Sequence, residues 1–186
     1  MAGPGISKAL KSAPAVAFHA TVVRCVALIP LTAQGTPGYL FTSGKANRFN
    51  PAGIACVYFS EEEKTARIEY GRRLGPAALQ PVGTFYADVR LSQVLDLANP
   101  KTCTAIGLDG KAMSVAWPLA RKATRTQQLG LAIAQLTGIS AVRFPSDTAK
   151  AAGFSGFNLV IFRDCIHAPD FVKILGSTRK PLQQWP

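Results

Sequence analysis

Residues Gly44–Glu69 read GKANRFNPAGIACVYFSEEEKTARIE, and the organisation of the chain turns on how this stretch folds. It opens as a loop carrying Lys45, Arg48 and Asn50 and breaks at Pro51-Ala52-Gly53. Ile54-Ala55-Cys56-Val57-Tyr58-Phe59 is short, apolar and rich in β-branched and aromatic residues, which predicts a buried strand ending near Tyr58. Ser60-Glu61-Glu62-Glu63 has the form of a capping box, a serine followed three positions later by glutamate, and predicts a helix start. The three glutamates would then lie at the positive end of the helix dipole. Spacings of three and four put Ala66, Glu69, Tyr70 and Arg73 on one side of that helix. Cationic donors, a tyrosine and an internal glutamate are thus delivered close together. Such a set suits a phosphorylated substrate and a cation that develops during reaction. A loop of solvated charges followed by a surface helix would carry the same local pattern.

The wider composition narrows the choice. At 186 residues the chain suits one domain with at most a small appendage. With 48% hydrophobic and 17% charged residues it is too apolar for a disordered chain. The net charge of +11 favours anionic partners: nucleotides, nucleic acid or an acidic protein. The basic residues are scattered, with no block of five or six, so a dinucleotide explains the charge as well as a polynucleotide does. Cys25, Cys56, Cys103 and Cys165 form no CxxC pair and read as free thiols in a reducing compartment. His19 and His167 lack ligand-like spacing, so no metal site is expected. The apolar run Ala13–Leu31 is broken by His19, Arg24 and Pro30. It reads as neither a membrane span nor a signal peptide, and a cytoplasmic protein is expected.

Along the chain, residues 1–19 read as a lead-in, loose over Met1–Ala13, residues 20–176 as the domain, and residues 177–186 as a polar, proline-bounded tail. Thr21–Leu28 is predicted as a strand on which Arg24 shares a face with Val22, Val26 and Leu28. An arginine there is costly unless an anionic group meets it or its head reaches water. Thr32–Asn50 reads as a long loop, and Arg72–Pro81 as a connection broken at Gly75-Pro76. Thr84–Leu91 alternates as a strand, and Ser92 is expected to cap a short helix reaching Ala98. Asn99–Arg125 is mixed, with Trp117-Pro118 and Arg121-Lys122. Thr126 is expected to cap a helix over Gln127–Thr137, with Leu129, Ile133 and Leu136 as its stripe and Gly138 as its stop. Ala141–Phe144, Phe157–Phe162 and Phe171–Leu175 read as strands. Without βαβ regularity the mixture is α+β.

The order of these pieces is informative. Arg24 comes on the first strand, then RFNPAG at 48–53, VYFS at 57–60, Glu69, FPSDTA at 144–149 and FNLVIF at 157–162, opened by Asn158. This order resembles the RES domain, a family named for its Arg, Glu and Ser. The resemblance spans Ala20–Leu175, with smaller matches at Leu95-Asp96-Leu97, Trp117, Thr126-Gln127 and Leu129-Gly130. The family often reads GGRWN in the loop, whereas here Lys45–Asn50 read KANRFN, with Phe for Trp and no paired glycines. RES proteins are toxin halves of bacterial type II toxin–antitoxin pairs that consume NAD+. The resemblance therefore implies an α+β, ADP-ribosyltransferase-like fold, with curved, mostly antiparallel sheets around a cleft and helices flanking them.

It also implies roles. Arg24 and Arg48, with Lys45, would bind the pyrophosphate, since planar guanidinium groups pair with its oxygens. Glu69 would be the catalytic carboxylate, stabilising the cationic ribose left when nicotinamide departs. Tyr58 would stack on the nicotinamide, and Ser146 would hydrogen-bond nicotinamide or ribose without acting as a nucleophile. Glu69, Arg48 and Tyr58 are thus the expected catalytic set, with NAD+ as substrate and no further cofactor. The implied partner is a DNA-binding, Xre-type antitoxin, through which alone the chain would meet DNA. A homodimer within the toxin–antitoxin complex is compatible with this. The acceptor is left open between water, phosphate and a protein side chain, the last giving an ADP-ribosyltransferase. Two other classes stand beside the enzyme: a basic nucleic-acid-binding protein and a catalytically silent binding module. Against the first, no helix concentrates the arginines.

Overall fold

The computed structural model describes residues 4–27, 45–74, 82–135, 138–176 and 181–186. In chain order the elements are α1 (Pro4–Leu10), β1 (Ala15–Ala27), β2 (Cys56–Ser60), α2 (Glu63–Leu74), β3 (Val82–Asp96), α3 (Pro100–Ala105), α4 (Gly110–Met113), a 3-10 turn at Trp117–Leu119, α5 (Arg125–Gln135), β4 (Ala141–Pro145), α6 (Asp147–Ala151), β5 (Phe157–Phe162), a 3-10 turn at Arg163–Cys165, β6 (Phe171–Leu175) and β7 (Pro181–Trp185). The mixture is α+β, with one seven-stranded sheet and helices flanking it.

The sheet runs β1-β2-β5-β4-β3-β6-β7, and β1 also pairs with β3, so β1, β2, β5, β4 and β3 close a circuit. All pairings are antiparallel except β3 with β4. β1 and β3 pair from Ala15↔Leu95 to Ala27↔Val82. β1 and β2, by contrast, meet at one pair, Val23↔Ser60. Inside the circuit lie Val22, Val57, Phe59, Val89, Leu91, Leu159 and Ile161. On the other side Cys56, Val142, Phe144, Val160 and Phe162 pack with Ile6 and Leu10 of α1 and Leu129 and Ile133 of α5. β2, β4 and β5 are therefore covered on both faces. That is why CVYF and LVIF are continuous apolar runs, while β3 alternates, with Ala87, Val89 and Leu91 buried and Tyr86 and Arg90 exposed.

Several local expectations are corrected. Ser60 does not cap α2: it ends β2, and its hydroxyl donates to Asn158 Oδ1 at 2.7 Å. α2 begins at Glu63, which pairs with Arg67 one turn on and accepts from the Tyr86 hydroxyl at 2.7 Å. Glu61 leaves the helix end altogether and joins Asp96 around Arg143. Tyr58 lies in the middle of β2, not at its end. Ser92 caps no helix, because its N–H and hydroxyl both bond the Asp170 carboxylate and β3 continues through buried Val94 and Leu95 to Asp96. A reciprocal capping box sits instead at Thr124: its hydroxyl accepts from the Gln127 N–H, and Gln127 Oε1 accepts from the Thr124 N–H. α5 thus starts two residues before the expected Gln127. Residues 4–10, inside the expected loose lead-in, form a helix that buries Ile6 and Leu10. Within the expected tail, Pro181–Trp185 pairs with β6. β1 begins six residues before the expected Thr21, whereas Leu28, Arg73's side chain, Leu136 and most of the Thr32–Asn50 loop lie outside the described residues.

Gly156 lets α2 and α6 come together. A Cβ there would lie 2.4 Å from Thr65 Oγ1 and 2.8 Å from Ala149 Cβ. Gly71, inside α2, has open space around its Cα. Opposite outcomes are expected in thermal melts. Gly156→Ala should lose about 1–3 kcal/mol through overpacking. Gly71→Ala should gain about 0.5–1 kcal/mol through helix propensity. Equal melting temperatures for the two variants would contradict the packing described.

Candidate active site

Because β1 and β2 share a single pair, they splay apart, and a cavity of about 460 Å³ opens between them. Its walls come from Val23, Arg24 and Cys25 of β1, Tyr58, Phe59 and Ser60 of β2, α2, the turn at Asn47-Arg48 and the segment Ser114–Leu119. That size falls within the range of small-molecule sites. Arg24 Nη1 donates to the Tyr58 carbonyl at 2.7 Å across the split. The guanidinium thereby meets a carbonyl that a full β1–β2 ladder would have satisfied, one reason an arginine is tolerated on this strand face.

Arg48 is aimed by its neighbours. Asn47 and Asn50 close a tight bridge, with Asn47 N donating to Asn50 O at 2.8 Å. Phe49 is fully buried, with its ring centroid 4.6 Å from that of Phe144. Asn50, equally buried, donates from Nδ2 to the carbonyls of Lys45 and Pro51. The Gln127 amide reaches the Asn47 carbonyl at 2.9 Å, and the Phe49 carbonyl lies so close to Gly130 that a Cβ there would stand 1.5 Å from it. With Phe49 anchored inward, Arg48 lines the cavity and pairs with Asp147 at 3.0 Å. Phenylalanine thus serves as the core anchor of the turn.

Tyr58 also lines the cavity, but its hydroxyl is committed to this turn: it accepts from the Phe49 N–H at 2.9 Å and donates to Asn50 Oδ1 at 3.0 Å. Only its ring can serve a ligand. Lys45 is exposed, and its side chain is not part of the cavity wall.

Glu69 projects from α2, which packs against β1, β2 and α6. Its Oε1 accepts from Ser146 Oγ at 2.6 Å and Asn158 Nδ2 at 2.8 Å, and its Oε2 accepts from Thr148 Oγ1 at 3.2 Å. All three partners are neutral. Ser146 is buried behind the carboxylate, where it caps α6 by accepting from Ala149 N, and it does not line the cavity. Its geometry is that of a group that holds Glu69. Ser146, expected to hydrogen-bond nicotinamide or ribose, here bonds Glu69 and Ala149.

Ala66, Glu69 and Tyr70 share the cavity wall as their spacing predicts, and Arg72 joins them. Asp147, Arg72, Trp117 and Thr148 were not legible as site residues. The usable signal for Asp147 and Thr148 was Ser146-Asp147-Thr148-Ala149, a serine cap that turns residues 147 and 148 back toward α2. The Cys25 thiol on the cavity wall is pushed up from its ordinary value, chiefly by burial, so it stays protonated at neutral pH and is a poor nucleophile. Among the described residues, no cluster of three or more His, Cys, Asp or Glu side chains could hold a metal, and no helix is long and apolar enough to cross a membrane.

The chain resembles proteins of known structure. It superposes over 100% of its length on 90% of a chain from the crystal structure of the M. tuberculosis MbcT–MbcA toxin–antitoxin complex, with a TM-score of 0.64 at 16% identity, a likeness of fold. No curated protein sequence matches it. The RES domain family model matches residues 21–182, a span that holds the split between β1 and β2, the Arg48 turn and the Glu69 cluster. The chain belongs to the RES domain family.

Proposed function

We propose that this chain is a toxin enzyme that cleaves the nicotinamide–ribose bond of NAD+ and depletes it in the cytoplasm, with water or inorganic phosphate as acceptor. The observation that carries the reading is Glu69: a carboxylate held by three neutral donors beside a cavity that Arg24 and Arg48 also line. Family membership supports it, and so does the likeness to a chain from a toxin–antitoxin complex. On this reading the split between β1 and β2 is the cleft of an ADP-ribosyltransferase-like fold.

The chemistry follows from charge. The bond between ribose and nicotinamide breaks with its electron pair going to the ring nitrogen, so nicotinamide leaves neutral and the ribose becomes cationic. Glu69 stabilises that cation, and its hydrogen bonds fix the carboxylate before reaction, which avoids reorganisation during it. Arg24 and Arg48 hold the pyrophosphate. A guanidinium has five N–H donors, so the pairing of Arg48 with Asp147 leaves donors for phosphate oxygens. The Tyr58 ring faces the substrate while its hydroxyl keeps the Arg48 turn in place. Such an enzyme would be lethal to its own host, so the proposal includes a cognate Xre-type antitoxin that covers the cleft.

Purified protein given NAD+ with and without phosphate, with the products separated by chromatography, tests the activity. Nicotinamide with ADP-ribose or with its phosphorylated form supports the proposal, and folded protein that releases no nicotinamide refutes it. Co-expression with the adjacent reading frame tests the antitoxin: restored growth and a stable complex are expected.

Glu69→Gln should slow single-turnover nicotinamide release by about 10²–10³-fold with little change in NAD+ affinity, because the lost charge matters most as the ribose becomes cationic. Glu62→Gln is the control, since Glu62 is exposed and outside the cavity wall, whereas Glu61 is unsuitable because it pairs with Arg143. Equal rates for the two variants would remove Glu69 from the mechanism. Arg48→Lys should raise the NAD+ requirement by about 10-fold with an unchanged melt, since a point ammonium cannot share a fork between Asp147 and phosphate. Wild-type kinetics in that variant would make Arg48 a structural charge only.

A further inference from the structure

Each donor to Glu69 is itself oriented by a second group. Ser146 Oγ accepts from the Ala149 N–H and so turns its proton to Glu69. Asn158 Oδ1 accepts from the Ser60 hydroxyl and so presents Nδ2. Both orienting groups are buried. The third is different. Thr148 Oγ1 receives Arg72 Nη1 at 3.1 Å, and Arg72 is exposed on the cavity rim.

The protons in this third arm follow from the donor inventory. A guanidinium can only donate, so the Thr148 oxygen must accept from Arg72. The hydroxyl hydrogen is then left for Glu69 Oε2, 3.2 Å away. Removing Arg72 frees the hydroxyl rotor, and Oε2 loses a donor of fixed direction. Oε1 keeps its two buried donors, so the carboxylate would remain in place but could twist about them.

We propose that Arg72 and Thr148 form a positioning relay that sets the orientation of the Glu69 carboxylate, with Arg72 acting through Thr148 and not through the substrate. The kinetic part of the proposal rests on Glu69 having the role given above; the structural part does not. The relay gives the site one orienting group that solvent can reach, while the other two are sealed.

The test is a double-mutant cycle with Thr148→Val, Arg72→Ala and the pair, read by single-turnover nicotinamide release, NAD+ affinity and crystal structures of the variants. Thr148→Val should slow release by about 10-fold, the scale of one hydrogen bond to a charged group, with NAD+ affinity and melting temperature essentially unchanged. Thr148→Ser should recover most of the rate. Arg72→Ala should slow release by a similar or smaller factor, and the double variant should be no slower than Thr148→Val alone, because both substitutions cut one path. Effects that multiply, or a raised NAD+ requirement in Arg72→Ala, would overturn the relay in favour of direct substrate contact. The crystal structures decide independently of activity. A carboxylate plane turned from its wild-type orientation in Thr148→Val supports the proposal, and an unmoved one overturns it. If the wild type releases no nicotinamide, the reading of Glu69 as a catalytic group falls, and the structures alone judge the relay.

Discussion

The structure depends on how the circuit of strands is closed. β1 is bound to β3 along nearly its whole length, and β2 is bound to β5, so the seam between β1 and β2 takes up the remaining misfit. At that seam the ladder is reduced to one pair, and backbone groups that other strands satisfy need partners from elsewhere. The Arg24 guanidinium supplies one by donating to the Tyr58 carbonyl. A charged side chain thus stands in for part of a missing strand contact, and the seam stays open as a cleft without leaving that carbonyl exposed to an apolar wall. The apolar cores on both sides of the sheet hold the two strands at this separation.

Two glutamates eight positions apart show how environment decides the use of a carboxylate. Glu61 is ion-paired: it shares Arg143 with Asp96, and the guanidinium lies 3.9 Å over the Phe157 ring. This partly buried cluster ties the end of β2 to β3 and β4 and is structural, its two carboxylates held by one guanidinium. Glu69 has hydrogen bonds to hydroxyls and an amide instead. These fix it without pairing it with a cation, and it lines the cavity. A neutral shell of this kind is what an electrostatic role requires, and an ion pair would have removed it.

Much of this was legible from local chemistry. The strands around Tyr58 and over Phe157–Phe162 followed from apolar runs, whereas Arg48 and Glu69 took their expected roles from the resemblance of the motif order to the RES domain. What could not be read were choices made by distant partners. Ser60 has the sequence context of a helix cap, but Asn158, 98 residues away, takes its hydroxyl. Ser92 looks like a cap, but Asp170 claims both its donors and the strand runs on. Ser146 combined both readings, since one hydroxyl caps α6 and donates to Glu69. Arg72 carried no signal and Thr148 only that of the serine cap before it, because their contact comes from the packing of α2 on α6 that Gly156 permits. Lys45 had the right charge in the right loop, but the backbone there spends its carbonyl on Asn50 and leaves the side chain off the cavity wall.

The contact between the Phe49 carbonyl and Gly130 has a mechanical consequence. A glycine with a backbone oxygen against it is a hard wall on one side of the Arg48 turn, because neither group can be compressed. The turn therefore cannot sink further into α5. A ligand that draws the guanidinium outward pulls against the Asp147 pair, the Gln127 amide bond and the bonds of the Tyr58 hydroxyl to Phe49 and Asn50.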